Sequence, residues 1–220
     1  MIFGAPPIIT NGLVLNLDAA NNKSYPGTGT AWRDLSGNNN TGTLTNSPTF
    51  SRDGGGSIVF NGTNQSANIG NINPISGATF SAWININGAN TNYGAIFSRW
   101  NISGNAFFIG TNINASSQIQ VYFDNILNLT ITPLELNKWM LLTISHSGST
   151  VIAYINAIQT NSAASSLISG GGTTSIGYDL NRTNYPFKGN ISNTLIYNRA
   201  LTAQEIQQNY NALKSRFNLS

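Results

Sequence analysis

Side chains that could perform catalysis are sparse in this sequence. The 220 residues include one histidine, no cysteine and seven carboxylates, which are Asp18, Asp34, Asp53, Asp124, Asp179, Glu135 and Glu205. A glycosidase needs two carboxylates about 5 to 10 Å apart across the sugar bond, and no two of the seven have the alternate-position spacing of such a pair on one strand. His146 has no second histidine and no acid nearby in the sequence, so a metal or nucleophilic site is not indicated. We therefore expect a non-enzymatic protein without a metal or cofactor.

Aromatic residues in polar, turn-like segments are the remaining signal for ligand chemistry. A ring face can stack on the apolar C–H groups of a sugar, while amide, guanidinium or carboxylate groups bond its hydroxyls. The sequence thus predicts a glycan site made of Tyr93, Trp100, Asp179, Arg182 and Tyr185. The alternative is that these rings anchor their loops to the protein body or fill contacts between subunits.

The composition excludes several classes of protein. Only 8% of residues are charged, the net charge is +3, and 34 asparagines and 22 glycines replace the missing charge. The few basic residues are spread thinly, so no nucleic-acid partner is expected. Hydrophobic residues make up 40% of the chain, which argues against disorder. We see no signal peptide or membrane span at the N-terminus, because prolines interrupt its apolar run and no Lys or Arg precedes Lys23; synthesis in the cytoplasm and no membrane partner follow as expectations.

For most of the chain, the sequence pattern predicts short strands separated by turns. The first is the apolar run 13–18, and the later ones, each bounded by Gly, Pro, Asn or Ser, are 57–61, 79–87, 95–100, 106–112, 119–125, 127–132, 138–147, 150–157, 174–178 and 190–198. Alternation is clearest in 79–87, where Trp83 lies on the face opposite Phe80 and Ile84, which predicts one buried and one mostly wet face. Regularly spaced strands of this kind favour a sandwich or a barrel.

Near the C-terminus, the spacing of the apolar residues changes from the two-residue period of a strand to the period of a helix. Thr202 and Glu205 have capping-box spacing. The apolar positions that follow fall on one helical face, and they are Ile206, Tyr210, Leu213 and Phe217. We expect a terminal helix over 203–217 that packs on the edge of the sandwich.

Several motifs together resemble the concanavalin-A-like, laminin-G-type jelly-roll domains. They are GLVLNLDAA at 12–20, WRDLSGN at 32–38, GSIVFNGT at 56–63, FKGNI at 187–191 and YNRALT at 197–202. The resemblance implies an all-β, two-sheet antiparallel jelly-roll sandwich with one gently concave sheet, in which carbohydrate or protein partners bind at the concave face or at one rim. Because no linker divides the chain, we expect a single domain over 12–220 that includes the terminal helix, preceded by an N-terminal arm over 1–11.

Some members of this family hold a structural calcium near the edge of the sandwich. The matching early region here offers Asp18 and Asp34 as carboxylate ligands, but Ser192 and Asn193 stand where such members usually carry acids after the Gly-x-Ile segment. Either calcium is retained, or the two aspartates bond turn amides.

The opening of the chain resembles most closely the versions of this domain found in bacteriophage virion proteins. This resemblance implies a virion surface protein, either a capsid decoration or a fibre component, that is assembled in the host cytoplasm. Its partners would be other virion or capsid subunits, with copies of the chain forming a homo-oligomer. We expect the proline-containing arm to cross to a neighbouring subunit or to the underlying shell; the alternative is that it packs back on its own sandwich. The alternative function is a carbohydrate-binding module that recognises a host-surface glycan.

Overall fold

The structure is a computed structural model that describes residues 4–72, 77–88, 93–99, 107–112, 118–123, 126–132, 134–166, 172–181 and 184–220. Its strands, in chain order, are β1 Leu13–Asp18, β2 Ala31–Trp32, β3 Gly42–Thr45, β4 Thr49–Ser51, β5 Ser57–Asn61, β6 Ser66–Gly70, β7 Ala78–Ile86, β8 Tyr93–Arg99, β9 Phe107–Asn112, β10 Gln118–Phe123, β11 Ile126–Ile131, β12 Trp139–His146, β13 Thr150–Ile155, β14 Ile158–Ala164, β15 Thr174–Ile176 and β16 Lys188–Tyr197. The helix α1 spans Ala203–Leu213 and continues as a 3-10 turn over Lys214–Phe217.

The strands form two eight-stranded sheets. The first has the order β14-β13-β12-β7-β16-β5-β4, with β1 also paired to β16, and the second has the order β11-β10-β9-β8-β15-β6-β3-β2. The pairings within both sheets are antiparallel. The main core lies between the sheets, where alternate residues of each strand meet. The prediction of an all-β, two-sheet sandwich with a short C-terminal helix is confirmed.

The outer face of β7 is buried, which differs from the expectation of a wet face. Trp83 is 0% exposed, and its ring stacks on Tyr210 at 5.7 Å and on Phe217 at 4.0 Å between centroids. The helix and its 3-10 turn therefore lie across the face of the first sheet rather than along its edge. The alternation along β7 is real, but both of its sides are covered.

A capping box fixes the start of α1, as predicted. The Thr202 side chain accepts a hydrogen bond from the Glu205 amide, and the Glu205 carboxylate accepts one from the Thr202 amide. The Arg199 guanidinium donates to both Glu205 oxygens at 2.8 and 2.6 Å. This charge-assisted pair lowers the pKa of Glu205 to about 2.

We expect the Arg199–Glu205 pair to make the protein acid-sensitive in a defined pH range. Because the folded-state pKa of Glu205 is depressed, the pair stabilises the fold fully above the unfolded pKa, near 4.5, and this contribution is lost as the pH falls to about 2. Each side chain of the pair is about a quarter exposed, at 29% and 25%, so we expect Glu205→Gln to lower the free energy of unfolding by about 1 kcal/mol at pH 7 and by less at pH 2.

Urea unfolding at both pH values measures this difference. Glu135→Gln is the control, because the Lys138–Glu135 pair is 67% and 62% exposed and should contribute little at either pH. An equal cost of Glu205→Gln at pH 7 and pH 2 would contradict the assignment.

The N-terminal segment packs on its own chain as far as the structure describes it. The Ile9 amide donates to Asn209 Oδ1 at 2.8 Å, and the Ile9 carbonyl accepts from the Tyr197 hydroxyl at 2.9 Å. Gln208 Nε2 donates to the Pro7 carbonyl at 2.9 Å. Burial raises the pKa of Tyr197 to about 12. The helix thus offers the backbone groups of residues 7–9 partners within the chain, and the crossing of the arm to a neighbouring subunit or shell stays a prediction.

In the part of the chain that the structure describes, no helix has both the length and the hydropathy that crossing a bilayer requires.

Candidate functional site

The outer face of the second sheet carries a cluster of aromatic side chains. Along β9 and β10, Phe107, Ile109, Ile119, Val121 and Phe123 point into the main core. The intervening residues point outward by alternation. They form, with neighbours on β8 and the β15–β16 connection, a separate cluster of Ala95 and Phe108 with Tyr93, Tyr122 and Tyr185 packed against them.

Phe108 is the centre of this aromatic cluster. Its ring is 1% exposed and meets Tyr93, Tyr122 and Tyr185 edge to face, at centroid distances of 6.3, 6.1 and 5.6 Å. The rings of Tyr93 and Tyr185 stack on each other at 4.9 Å with an interplanar angle of 11°. The three tyrosines are only half-buried, so they present ring surface around a buried support. We call these three residues the tyrosine platform.

Small residues beneath the rings allow this arrangement. Ala95 and Gly110 are cross-strand partners on β8 and β9. A Cβ on Gly110 would overlap the Phe108 ring and the Gly94 carbonyl oxygen. The close approach of Phe108 to the sheet therefore requires glycine at position 110.

Amide side chains lie beside the platform in register with it. Gln120 on β10 is the cross-strand partner of Gly110 on β9. Its Oε1 accepts from Asn112 Nδ2 at 3.3 Å and from the Tyr122 hydroxyl at 3.2 Å. These two donors fix the orientation of the amide group. Aromatic surface and an oriented amide thus occur together on one sheet face.

The segment that carries Tyr185 follows β15 and is attached to β8. The Ala95 amide donates to the Tyr185 carbonyl at 3.0 Å, and the Phe187 amide donates to the Gly177 carbonyl at 2.9 Å. Asp179 in this segment is 0% exposed. Its Oδ2 accepts from Ser98 Oγ at 2.8 Å and its Oδ1 from the Asn181 amide at 2.9 Å.

The structure brings together three of the five residues predicted for the glycan site. Tyr93 and Tyr185 are stacked, and Tyr93 begins β8 rather than lying in a turn. Asp179 lies buried in the same connection, where it accepts hydrogen bonds from the chain. Trp100 and Arg182 lie outside the described residues.

Sequence reasoning missed Phe108, Tyr122 and Gln120 as members of this face. Tyr122 and Gln120 alternate with core residues within the predicted strand 119–125, so the pattern placed them on the outer side. The pattern could not show that the outer side of this strand faces Tyr185.

The two aspartates considered for calcium are occupied by other partners. Asp34 accepts from the amides of Asn16, Ser36 and Asn40 and from the Ser36 hydroxyl, at 2.7 to 3.0 Å. Asp18 accepts from both Nη atoms of Arg216 at 3.0 and 3.1 Å. A guanidinium against Asp18 repels a second cation, so as placed these carboxylates do not fit calcium. The described part of the chain contains no cluster of three or more acidic or histidine side chains that could hold a metal.

His146 is a core residue in this structure. It is 0% exposed, its Nδ1 accepts from the Gly148 amide at 2.9 Å, and its Nε2 lies 3.0 Å from Ser165 Oγ. Its ring packs edge to face on Phe123 at 4.8 Å. These contacts give it a structural role at the end of β12.

A crevice of about 380 Å³ opens between the edges of the two sheets, with β10 and β11 on one side and β12, β13 and β14 on the other. Ile119, Ile131, Met140 and Ile155 line it, and the Glu135–Lys138 pair lies at its margin. Half of its twelve lining residues are aliphatic, and the others are Trp139, Asn156, two threonines and that ion pair. The tyrosine platform differs from it in presenting a stacked pair of rings beside an oriented amide, which suits a polar ligand with apolar faces.

The fold places the protein in the class of antiparallel two-sheet jelly-roll sandwiches. Comparison with known families shows to which family of this class the chain belongs. Residues 60–207 match the family model described as the concanavalin A-like lectin/glucanases superfamily. The chain therefore belongs to this superfamily. The corresponding search of curated proteins found no match.

Solved structures share the fold at low sequence identity. The fourth domain of a GH43 extracellular arabinanase from Geobacillus stearothermophilus, in complex with arabinotriose, has a TM-score of 0.73 and 18% identity, over 90% of this chain and 98% of that one. Trypanosoma rangeli sialidase has a TM-score of 0.72 and 15% identity, over 96% of this chain and 36% of the sialidase. The binding domain of Paraclostridial Mosquitocidal Protein 1 has a TM-score of 0.70 and 19% identity, over 92% of this chain and 52% of that one.

The prediction that the chain is not an enzyme was wrong as an exclusion. The superfamily to which it belongs includes glucanases, and two of the similar structures come from an arabinanase and a sialidase. Spacing of carboxylates along the sequence could not decide this, because acids from distant strands can meet in a folded sandwich. Family membership thus admits both enzymes and binding proteins.

Proposed function

We propose that the tyrosine platform binds a carbohydrate. The observation that carries this proposal is the stacked Tyr93–Tyr185 pair, held with Tyr122 around the buried Phe108 and beside the oriented amide of Gln120. Exposed ring faces pack on the C–H faces of a sugar, and an amide donates to or accepts from its hydroxyls. Membership of a superfamily described by lectins and glucanases supports the same ligand class.

The roles of the individual residues follow from their contacts. Tyr93 covers one ring face of Tyr185, so this stack offers outer ring surface to one sugar unit, and Tyr122 offers a second surface across Phe108. Gln120 Oε1 already accepts two hydrogen bonds. Its Nε2 donates to no acceptor within the part of the chain that the structure describes, and it is the group we assign to a sugar hydroxyl.

Tyr185→Ala is expected to weaken oligosaccharide binding at least tenfold, because truncating an aromatic anchor at the centre of a contact removes most of its binding energy. Tyr185→Phe keeps the ring and should keep most of the affinity. An oligosaccharide array that includes arabinotriose and sialylated chains identifies the ligand, and titration calorimetry then measures Kd. The same incubations are assayed for released reducing sugar, since the superfamily includes glucanases.

The matched control is Phe50→Ala, which removes a half-buried ring that contacts Tyr25 at 5.9 Å on the first sheet. This variant should lose stability and retain the parent affinity. An array without bound ligand for the parent protein, or equal loss of affinity in both variants, would reject the platform as the binding site.

The role on a virion surface is a second proposal, and it rests on the sequence resemblance of the opening segment to phage virion domains. A low content of charge supports contacts between subunits, because amides and hydroxyls re-pair across an interface at less desolvation cost than unpaired charges. Mass spectrometry of purified particles from the source tests whether the chain is assembled there, and light scattering tests for the homo-oligomer.

A further inference from the structure

The connection between β15 and β16 is attached to the second sheet on both sides of Asp179. At its base, the Phe187 amide donates to the Gly177 carbonyl at 2.9 Å, and Ser175 Oγ donates to the Tyr178 carbonyl at 2.6 Å. Gly177 has a φ of +86° and packs so closely on the Phe60 ring that a Cβ would overlap it. The start of the connection is therefore fixed in position before the chain reaches Asp179.

The Asp179 carboxylate lies where it can act on protein groups but not on a ligand. It is 0% exposed, and a buried carboxylate is tolerated only when its oxygens accept hydrogen bonds. Ser98 Oγ donates to Oδ2 and the Asn181 amide to Oδ1. A sugar hydroxyl has no access to a carboxylate buried in this way.

Ser98 connects this carboxylate to the aromatic cluster. It lies on β8, where its neighbours across the sheet are Phe108 on one side and Ser175 on the other. The carboxylate thus joins the connection to β8, the strand that carries Tyr93 and pairs with the strand of Phe108. Three residues nearer the N-terminus of β8, the Ala95 amide holds the Tyr185 carbonyl at 3.0 Å.

We propose that Asp179 is a positioning residue that fixes residues 177–181 to β8 and thereby holds Tyr185 against Tyr93 in the free protein. This inference rests on the proposed glycan site and gives Asp179 a role other than contact with the sugar. When the two rings are already stacked in the free protein, a sugar binds without having to order them first. When only a fraction of molecules has the stack in place, the apparent affinity falls by that fraction.

Two variants break the attachment from opposite sides. Asp179→Ala removes the carboxylate, and Ser98→Ala removes the hydroxyl that it accepts from while leaving the Asp179–Asn181 bond. We expect each to weaken oligosaccharide binding about tenfold. The double variant should bind no more weakly than Asp179→Ala alone, because that variant already removes the bond from Ser98.

The decisive comparison uses Tyr185→Ala as the background. If Asp179 acts by placing Tyr185, Asp179→Ala has no further effect on Kd once the ring is absent. A merely structural role would lower affinity by the same factor in both backgrounds, which would overturn the proposal. Asp53→Ala is the control, since Asp53 accepts from the Gly54 amide in a turn elsewhere and should leave Kd unchanged.

A ligand-free measurement separates this inference from the proposed function. Ring-current shifts of the Tyr93 and Tyr185 protons, recorded by NMR without glycan, report the stack directly. We expect these shifts in the parent and in Asp53→Ala, and their loss in Ser98→Ala and Asp179→Ala. Unchanged shifts in both variants would overturn the positioning role even if glycan binds, and a parent protein that shows the shifts but binds no oligosaccharide would reject only the proposed function.

Discussion

Trp83→Ala is expected to lower the free energy of unfolding by about 3–5 kcal/mol and to detach the C-terminal helix. The Trp83 ring is wholly buried and stacks on Phe217 at 4.0 Å and Tyr210 at 5.7 Å. An isolated helix of this length is marginal in water, so its stability depends on this contact. Urea unfolding measures the free energy, and amide hydrogen exchange over residues 203–213 measures the attachment of the helix.

The control for this experiment is Trp32→Ala. Trp32 is equally buried, but it lies in the main core between the sheets. Its truncation should lower the global free energy by a similar amount while the helix amides still exchange only with global unfolding. Helix amides of Trp83→Ala that also exchange only through global unfolding would show that the helix does not depend on this ring.

Gly110→Ala is expected to destabilise the protein by about 1–3 kcal/mol, the usual cost of overpacking, and to abolish measurable glycan binding. Its Cβ would overlap both the Phe108 ring and the Gly94 carbonyl oxygen. The ring must therefore move away from the sheet, and Tyr93, Tyr122 and Tyr185 lose their common support. Calorimetry with the best oligosaccharide and thermal unfolding measure the two effects.

Gly42→Ala is the matched control, because it is also a strand glycine and its added Cβ would meet only ordinary contacts of 3.4 Å or more. It should retain affinity, with a stability close to that of the parent. Full affinity in Gly110→Ala would show that the platform does not depend on the close approach of Phe108.

Features of the fold that depend on neighbours along the chain could be predicted from the sequence. The alternation of Phe80, Ala82 and Ile84 identified the core side of β7, and the Thr202–Glu205 spacing identified the start of the helix. Both are encoded within a few residues, because strand period and capping are local properties. The family resemblance added the sandwich topology, which local patterns do not specify.

The candidate site was predicted only in part. Tyr93 and Tyr185 stood out as rings in polar segments, and the structure stacks them although 92 residues separate them in the sequence. Tyr122 and Phe108 gave no comparable signal, since aromatic residues within strands are typical of any sandwich. Their role depends on which strands are neighbours, and that order is set by pairing over long separations.

Local sequence was sufficient to predict the composition of the strand faces, the periods of the strands and the helix, and the scarcity of catalytic side chains. Tertiary structure alone decided which faces are covered. The outer side of β7 is dry because α1 packs on it, and Asp179 is an internal hydrogen-bond acceptor because its segment folds onto β8. Burial depends on which residues pack against a side chain in the folded protein. The sequence pattern shows only on which face of its strand the side chain lies.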